Sequence, residues 1–488
     1  MDYGGAVLTS SLEANVALIK RIFENDGTVV ERRVENRLRP KARCCIFFID
    51  GMASNQIVDE YIVKPIIETA ALGLSDDPAE ELSRDVLAAN DIRREACVAE
   101  LVKGLIAGDT LVFAEGSGMG LIVSSKGFPT RAVSEPDSEK ALRGPREGFT
   151  EAILVNLSLV RRKLHTPDLK MKFRSFGTRS DTRACIVYLE SLTDPALLAE
   201  LERRLDLIDI DGVLDSNYIA ELIKDDKHSP FKTIGTTERP DVVAGRLLEG
   251  RIALLVDGTP MVLTLPYLFI ENFQADDDYY LNFYFASMGR MLRILGFLLS
   301  VSIPAVYVAF ITFHREMIPT NLALSVMQAH QGIPFPTFLE CFIMLIIFEI
   351  IRETGIRMPS NIGQALSIVG ALVIGQAAVQ AKLISAPMVI VVAITAITGL
   401  INPKVKGATI LVRFLSLFAA AILGLFGFAF VMAALVIHLF SLESFGTVYM
   451  SQVSAVRPQE MKDNAVRAPW YFMKTRPVFE RRDPVRKN

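Results

Sequence analysis

The chain has 488 residues and a net charge of −3, and at roughly 150 residues per domain this length predicts about three structural units. The near balance of 52 Lys and Arg against 55 Asp and Glu excludes a strongly basic nucleic-acid-binding protein. Charge is unevenly spread, because 12 of residues 291–440 are charged against 95 of the other 338. With a mean hydropathy of +0.33, this pattern predicts a water-soluble N-terminal part, a membrane part and a short charged tail.

The first 25 residues carry no positively charged stretch followed by an apolar stretch, so they do not predict a cleavable signal peptide. They predict an amphipathic helix instead, with Leu12, Val16, Ile19 and Phe23 on one face. We therefore expect the large N-terminal part to stay in the cytoplasm.

Five cysteines occur in the sequence, an odd number, and no C-x-x-C spacing is present. This pattern favours buried free thiols in a reducing compartment over a disulfide framework or a zinc site. The cysteines are Cys44, Cys45, Cys97, Cys185 and Cys341.

An internal repeat occupies residues 1–270. Three blocks recur at offsets of about 140 residues: 13–22 resembles 154–163, 42–51 resembles 182–191, and 108–124 resembles 250–266. Self-similarity at one spacing indicates two tandem copies of a structural unit, which we assign to 1–140 and 141–270.

Each copy predicts a helix, a strand, further helices and a closing β-hairpin, which is an α/β class. The predicted strands are 44–50 and 184–190, the later helices are 55–72, 92–106 and 195–224, and the hairpins are 109–124 and 251–266. Gly116-x-Gly118-x-Gly120 lies in the first hairpin, and a strand-like run rather than a helix follows it. We therefore interpret it as a hairpin turn and not as a phosphate-binding loop.

Five apolar segments follow, over 291–313 and about 335–351, 362–380, 385–401 and 409–440. They predict an all-α transmembrane domain of five or six helices over 291–442, between a juxtamembrane segment 271–290 and a basic cytoplasmic tail 443–488. The last segment would reach about 48 Å as a straight helix, against about 30 Å of hydrocarbon. It is therefore one tilted helix or two short helices broken at Gly424–Gly427. A positively charged tail is expected in the cytoplasm, which requires an even number of crossings and therefore favours two helices.

Two carboxylates, Glu340 and Glu349, fall in or at the ends of the second segment. Intramembrane carboxylates are costly and usually face a partner or water, so both are candidate intramembrane charges. Glu349 can pair with Arg352 or Arg413. An interfacial position at the end of the span remains an equal alternative.

The third segment is unusually rich in small and polar residues for a membrane helix. A ring of such helices would form a narrow pore with an apolar gate, whereas tight packing inside one subunit is the alternative. The candidate pore-lining residues are Gln364, Ser367, Val369, Val373 and Gln376.

The junction between the two copies contains Arg143, Arg146 and Glu147 around a Gly-Pro pair. Proline and acidic residues suit the first turn of a helix, so we expect the second-copy helix to begin here. The charged groups are candidate subunit-interface residues, and a solvated linker is equally compatible. The acidic run 276–278 is interpreted as solvated surface rather than as a cation site.

No catalytic, metal-binding or cofactor-binding pattern was found. The five histidines show no ligand spacing, and the sequence contains no H-E-x-x-H, G-x-S-x-G or Walker A motif. An enzyme is therefore the least expected class, and no cofactor is expected.

Several long motifs resemble the A subunits of GerA-type spore germinant receptors. They are FFIDGMASNQIVDEYIVKPI (47–66), RGPREGFTEAILVNLSLVRRKL (143–164), RSFGTRSDTRACIVYLESLTDP (174–195), TTERPDVVAGRLLEGRIALLVDGTP (236–260), DDDYY (276–280) and the run 350–397. The resemblance covers most of the chain and is least clear at the far N-terminus and the tail.

This resemblance implies a multi-pass protein of the spore inner membrane, in contact with membrane lipid, with its N-terminal domain on the cytoplasmic side. It implies a homo-oligomer that forms a nutrient-gated ion channel, with a transporter-like B subunit and a lipoprotein C subunit as partners and no nucleic acid. Two alternatives remain open: a non-conducting signalling scaffold, and a secondary transporter with a soluble regulatory domain. Many secondary transporters contain inverted repeats, and no repeat is seen among these membrane segments, which argues against the transporter alternative.

Overall fold

The computed structural model describes residues 6–39, 42–70, 77–127, 139, 143–357, 373–451, 462–476 and 485. The chain divides into two compact units. The first comprises Met1–Lys227, Ile234–Tyr267 and Met473–Asn488, and the second comprises His228–Thr233 and Leu268–Phe472.

The first unit begins with an α/β lobe built on a five-stranded antiparallel sheet of order β1-β2-β4-β5-β3. Its strands are β1 (Val29–Glu35), β2 (Arg43–Ile49), β3 (Ile92–Glu95), β4 (Thr110–Ala114) and β5 (Gly120–Val123). Its helices are α1 (Leu12–Ile22), α2 (55–68), α3 (78–86) and α4 (Val98–Ile106), and the middle of α2 and the end of α3 are π-helical.

The second lobe of this unit repeats the same sheet, in the order β6-β7-β9-β10-β8. Its strands are β6 (Leu169–Phe176), β7 (Thr182–Leu189), β8 (Gly235–Thr237), β9 (Ile252–Val256) and β10 (Val262–Leu265). Its helices are α5 (Ile153–Arg161), α6 (Pro195–Asp206), α7 (Ser216–Ile223) and α8 (Pro240–Leu247).

The alternation of apolar residues explains how each sheet is covered. Strand β2 is buried along most of its length because its residues pack alternately on two cores. One core lies under α1 and α4 and includes Cys45 and Phe47, whereas the other lies under α2 and α3 and includes Ile46. In the second lobe α5 and α8 cover one face of the sheet.

Two asparagines at corresponding places make the same hydrogen bonds in the two lobes. Asn15 Oδ1 accepts from the backbone N–H of Thr9 at 2.9 Å, and Asn15 Nδ2 donates to the carbonyl of Thr9 at 2.7 Å. Asn156 makes the same two bonds to Thr150, at 2.8 and 2.6 Å. Both asparagines are buried, so each fixes the chain that enters the first helix of its lobe.

The second unit is mostly helical. Its helices are α9 (Phe283–Thr312), α10 (Thr320–Ala329), α11 (Thr337–Arg357), α12 (373–380 in the described residues), α13 (Ala386–Leu400) and α14 (Lys406–Ser441). A small two-stranded sheet, β11 (Glu443–Ser444) and β12 (Thr447–Val448), follows α14. Among the described residues, two helical stretches are long and apolar enough to cross a membrane, Phe283–Thr312 and Pro403–Ser441.

The α/β class predicted for the N-terminal part is confirmed, and both predicted hairpins are present as β4–β5 and β9–β10. The prediction of one helix over 92–106 is wrong in its first part, since Ile92–Glu95 is an edge strand. The edge strands β1, β6 and β8 were also missed, because alternating or short polar runs carry little hydrophobic signal. The number of membrane crossings, five or six, stays a prediction.

Helix α14 is broken near its middle, which is one of the two alternatives that the sequence leaves open for this segment. Gly424 has φ +61° and ψ −142°, outside the helical region. A Cβ added to Gly427 would clash with the carbonyl oxygen of Ala419. Eight residues of straight helix span about 12 Å, so the chain must turn sharply between these two residues.

Candidate functional site

Three groups of polar residues lie among the helices of the second unit, and a fourth surrounds the acidic run that precedes α9. Of the five candidate pore-lining residues, Gln364, Ser367 and Val369 lie outside the described residues. Val373 and Gln376 lie on α12, and both are exposed. Gly375 is buried where α12 packs against α13. A Cβ at this position would contact Val389 of α13 at 3.9 Å.

The first group is an ion pair around Glu349 on α11. Arg413 of α14 donates to Glu349 from Nη1 at 3.1 Å, and Arg352 also pairs with this carboxylate. Arg413 is only 2% exposed and donates a further hydrogen bond from Nε to the carbonyl of Ser300 on α9, at 2.9 Å. A buried guanidinium is stable only when paired, so this group ties α9, α11 and α14 together.

The second group surrounds Glu340, which lies in the first turn of α11 and is completely buried. Its Oε1 accepts from the backbone N–H of Ser385 and from the Ser385 hydroxyl, the latter at 2.6 Å. Its Oε2 lies 3.4 Å from Nε2 of His330 at the C-terminal end of α10. The hydroxyl of Tyr307 on α9 is buried and has no hydrogen-bond partner among the described residues.

The third group occupies the break in α14. The break frees the backbone N–H of Leu425, which donates to Nε2 of His314 at 3.3 Å. His314 lies just after the end of α9. An amide in an apolar environment needs an acceptor, so His314 replaces the carbonyl that the broken helix no longer offers.

Two residues of the acidic run 276–278, Asp277 and Asp278, are buried rather than solvated, which corrects the expectation from the sequence. Asp278 is fully buried and accepts hydrogen bonds from Arg290 and Arg293, at 2.9 Å each. Burial raises the pKa of Asp278, but the bonds from Arg293 and Arg290 outweigh it, and the pKa lies below its ordinary value. Arg290 also donates to Asp463 at 2.7 Å, so this part of the tail packs against α9.

The junction residues differ from the prediction. The second-copy helix does not begin at Pro145, since the chain is non-helical up to Ala152 and α5 begins at Ile153. Ala152 is the N-cap of α5, so Pro145, Glu147 and Glu151 all lie before its first turn. Arg143 and Arg146 are exposed, and Glu147 pairs with Lys163 at 3.1 Å within its own lobe. The subunit-interface role of these residues stays a proposal.

Among the described residues, no three His, Cys, Asp or Glu side chains lie close enough together to hold a metal ion. The chemistry that these groups offer is therefore ionic pairing, proton binding and hydration inside an apolar helical unit.

Comparison with known proteins gives the family. A family model described as Bacillus/Clostridium GerA spore germination protein matches residues 17–479. The chain belongs to the GerA spore germination protein family. This membership covers both units, so it includes the α/β lobes as well as the helical groups described above.

Several relatives of this GerA-family chain are similar over nearly its full length. Spore germination protein KA of Bacillus subtilis (strain 168) is 38% identical over 483 residues, which are 98% of this chain and 89% of that protein. Spore germination protein B1 of the same organism is 34% identical over 480 residues, 98% of each chain. The uncharacterized membrane protein YfkQ, also of Bacillus subtilis, is 41% identical over 436 residues, 88% of this chain and 84% of that protein.

One solved structure is also similar to this chain. It is the crystal structure of the N-terminal domain of the A subunit of the Bacillus megaterium spore germinant receptor GerK3. The match has 33% sequence identity and a TM-score of 0.44, and it covers 54% of this chain and 98% of that chain.

Sequence reasoning missed four residues of the helical groups: His330, Tyr307, Ser385 and His314. No motif marks them, because each comes from a different helix or loop than its partner. The one available signal was the isolation of Glu340 in an apolar run, since a buried carboxylate requires partners from elsewhere in the chain.

Proposed function

We propose that this GerA-family chain is the A subunit of a germinant receptor and that it oligomerises into a nutrient-gated ion channel in the spore inner membrane. A transporter-like B subunit and a lipoprotein C subunit are its proposed partners. Family membership over residues 17–479 and relatives named as spore germination proteins support the role in germination.

The channel part of the proposal rests on the exposed face of α12. Gln376 and Gln380 are exposed there, next to Val373, which is 56% exposed. An amide facing lipid costs free energy, so such a face needs water or a polar partner. A ring of subunits that brings the α12 helices together supplies both, with Val373 as an apolar constriction.

The transporter alternative has one observation in its favour, the broken helix α14. Broken helices near the middle of the membrane are common in secondary transporters, where the freed backbone groups bind substrate or ions. Here the freed N–H of Leu425 is already paired with His314. We therefore keep the channel as the proposed function and test the transporter in the same experiment.

The test uses the purified full chain in nanodiscs and in planar bilayers. Native mass spectrometry counts the subunits, and single-channel recording measures current. We expect a closed ring, and we expect Val373→Ser to increase conductance because it hydrates the constriction. Ile390→Ser is the matched control, since Ile390 is 62% exposed but lies on α13 rather than on α12.

A strict monomer without current would overturn the channel and leave the non-conducting scaffold. Uptake of a labelled nutrient into vesicles without unitary currents would favour the transporter. Equal effects of Val373→Ser and Ile390→Ser on conductance would show that α12 does not line the pore.

A further inference from the structure

An acid–base pair in the helical unit, made of a fully buried carboxylate and a partly buried imidazole, is not needed for the proposed channel. It consists of Glu340 on α11 and His330 at the end of α10. Within the described residues, no hydrogen bond reaches Glu340 Oε2 or His330 Nε2, and the two atoms lie 3.4 Å from each other.

The tautomer of His330 follows from its other nitrogen. Nδ1 lies 2.9 Å from the carbonyl oxygen of Val326. A carbonyl only accepts, so Nδ1 must carry a hydrogen. A neutral ring would then direct the lone pair of Nε2 at a carboxylate oxygen, which places two acceptors together in a buried site. A proton on Nε2 removes this conflict.

The ionised form of Glu340 is favoured by its surroundings. Two donors from Ser385 bind Oε1, and hydrogen bonds to a carboxylate stabilise its charge. Glu340 also lies in the first turn of α11 and faces Ser385, the N-cap of α13. The N-terminal ends of both helices therefore favour a negative charge at this position.

The position of His330 favours the opposite charge. It is the C-cap residue of α10, where the unpaired carbonyls of the helix favour a cation. We propose that Glu340 and His330 form a proton-binding site inside the helical unit, in which one proton is held on His330 Nε2 against the ionised carboxylate of Glu340.

Other titratable or charged groups face this site from each neighbouring element. The buried hydroxyl of Tyr307 on α9 and the buried thiol of Cys341 on α11 lie beside Glu340, and a phenol and a thiol are ordinarily neutral donors at neutral pH. Arg315 follows α9, and Lys382 lies beside Gly332 in the chain after His330. Arg315 is a cation that opposes a charge on His330, and the ionised carboxylate of Glu340 must outweigh it.

Loss of the proton would leave the fully buried carboxylate of Glu340 without a cationic partner at Oε2. The pair therefore links proton binding to the packing of α10, α11 and α13. This inference concerns proton binding alone and does not depend on whether the chain conducts ions.

The test is nitrogen-15 NMR of the full chain in nanodiscs, with only the histidines labelled. His330→Gln assigns the signal of His330. We expect an imidazolium signal for His330 at neutral pH, where a free imidazole is mostly neutral, and we expect Glu340→Gln to abolish it. His314 is the internal control, because it accepts from Leu425 and must show an unprotonated Nε2.

A neutral His330 at neutral pH in the wild-type chain would overturn the proposal, including the case in which the proton is found on Glu340. A shift of the His330 signal on addition of zinc alone, reversed by a chelator, would replace the proton site by a metal site. The wild-type spectrum shows whether His330 carries the second proton even if Glu340→Gln fails to fold. Emission from Trp470 reports whether each variant is folded.

Discussion

Arg161 Nη2 donates to Asp26 Oδ2 at 2.6 Å, and both side chains are at most 1% exposed. This pair joins the two lobes of the α/β unit, since Arg161 ends α5 of the second lobe and Asp26 precedes β1 of the first. The backbone strengthens the same contact, because the N–H of Gly27 donates to the carbonyl of Met171 at 2.8 Å. Lys170 adds a bond to the carbonyl of Ile22 at 3.1 Å.

Replacing Arg161 should weaken the contact between the lobes. Arg161→Met leaves Asp26 buried without its cation, and breaking a buried ion pair costs about 3–5 kcal/mol. We expect faster hydrogen exchange of the Gly27 amide in the full chain, measured by mass spectrometry. Arg33→Met is the matched control, because Arg33 is 56% exposed and pairs with Glu13 at the surface. Equal exchange at Gly27 in wild type and Arg161→Met would refute this prediction.

The turn within α14 should not tolerate a side chain at Gly427. Gly427→Ala places a methyl group against the carbonyl of Ala419, and that backbone atom cannot move aside easily. We expect a clear loss of thermal stability and of folded yield. Gly407→Ala in the same helix is the control, since its Cβ would meet no atom within 4 Å and alanine favours a helix by about 1 kcal/mol. A Gly427→Ala chain as stable as Gly407→Ala would mean that α14 is straight.

The hydrogen bonds from Arg290 and Arg293 to Asp278 should make the free energy of unfolding depend on pH in the acidic range. The pKa of Asp278 lies below its ordinary value of 3.8, so the unfolded chain binds the proton more tightly. The stabilisation is therefore complete above that ordinary value and is lost as the pH falls through the lowered pKa. At neutral pH, Asp278→Asn should cost about 1.5–3 kcal/mol, because the buried Arg290 loses its charged hydrogen bond to Asp278 while it keeps its pair with Asp463. The difference from wild type should shrink below about pH 4.

Trp470 is a built-in reporter for this measurement, as the chain has a single tryptophan. Its ring centroid lies 6.0 Å from that of Tyr279, and the guanidinium of Arg467 lies 5.5 Å above it. Thermal unfolding can therefore be followed by its emission at each pH. Asp276→Asn is the control, since Asp276 pairs with Lys404 at 3.3 Å and not with the two arginines. A gap between wild type and Asp278→Asn that is the same at every pH would contradict the assignment.

Of the five thiols, only Cys97 should react in the folded chain. Cys97 is half-buried, whereas the other four cysteines are buried. Burial raises the pKa of Cys44 and of Cys45 to about 12, which removes their reactive thiolate at neutral pH. We expect a maleimide to add once to the native chain and five times after unfolding, counted by intact mass. Cys97→Ser should abolish the native addition, and labelling of a second cysteine without unfolding would contradict the buried positions.

Much of the α/β unit could be predicted because its signals are local. Apolar spacing in α1 and the turn residues of the hairpins act over a few neighbouring residues, and the repeat is visible by direct comparison. The edge strand Ile92–Glu95 was assigned to a helix because its pairing partner, β5, lies about 28 residues away. Likewise, the helix start predicted at Pro145 failed because local propensity does not reveal where the preceding chain must run.

The sequence by itself determined the division into a charged and an apolar part, the duplication and the family, since each depends on composition or on runs of neighbouring residues. It left open whether the last apolar segment is one helix or two. Only the tertiary structure decided which buried charges meet. Glu340 and His330 are ten residues apart but Ser385 is 45 residues away, and Arg161 meets Asp26 across 135 residues. Desolvation makes each buried charge unstable alone, so its partner is fixed by how the elements pack, and no local pattern records that choice.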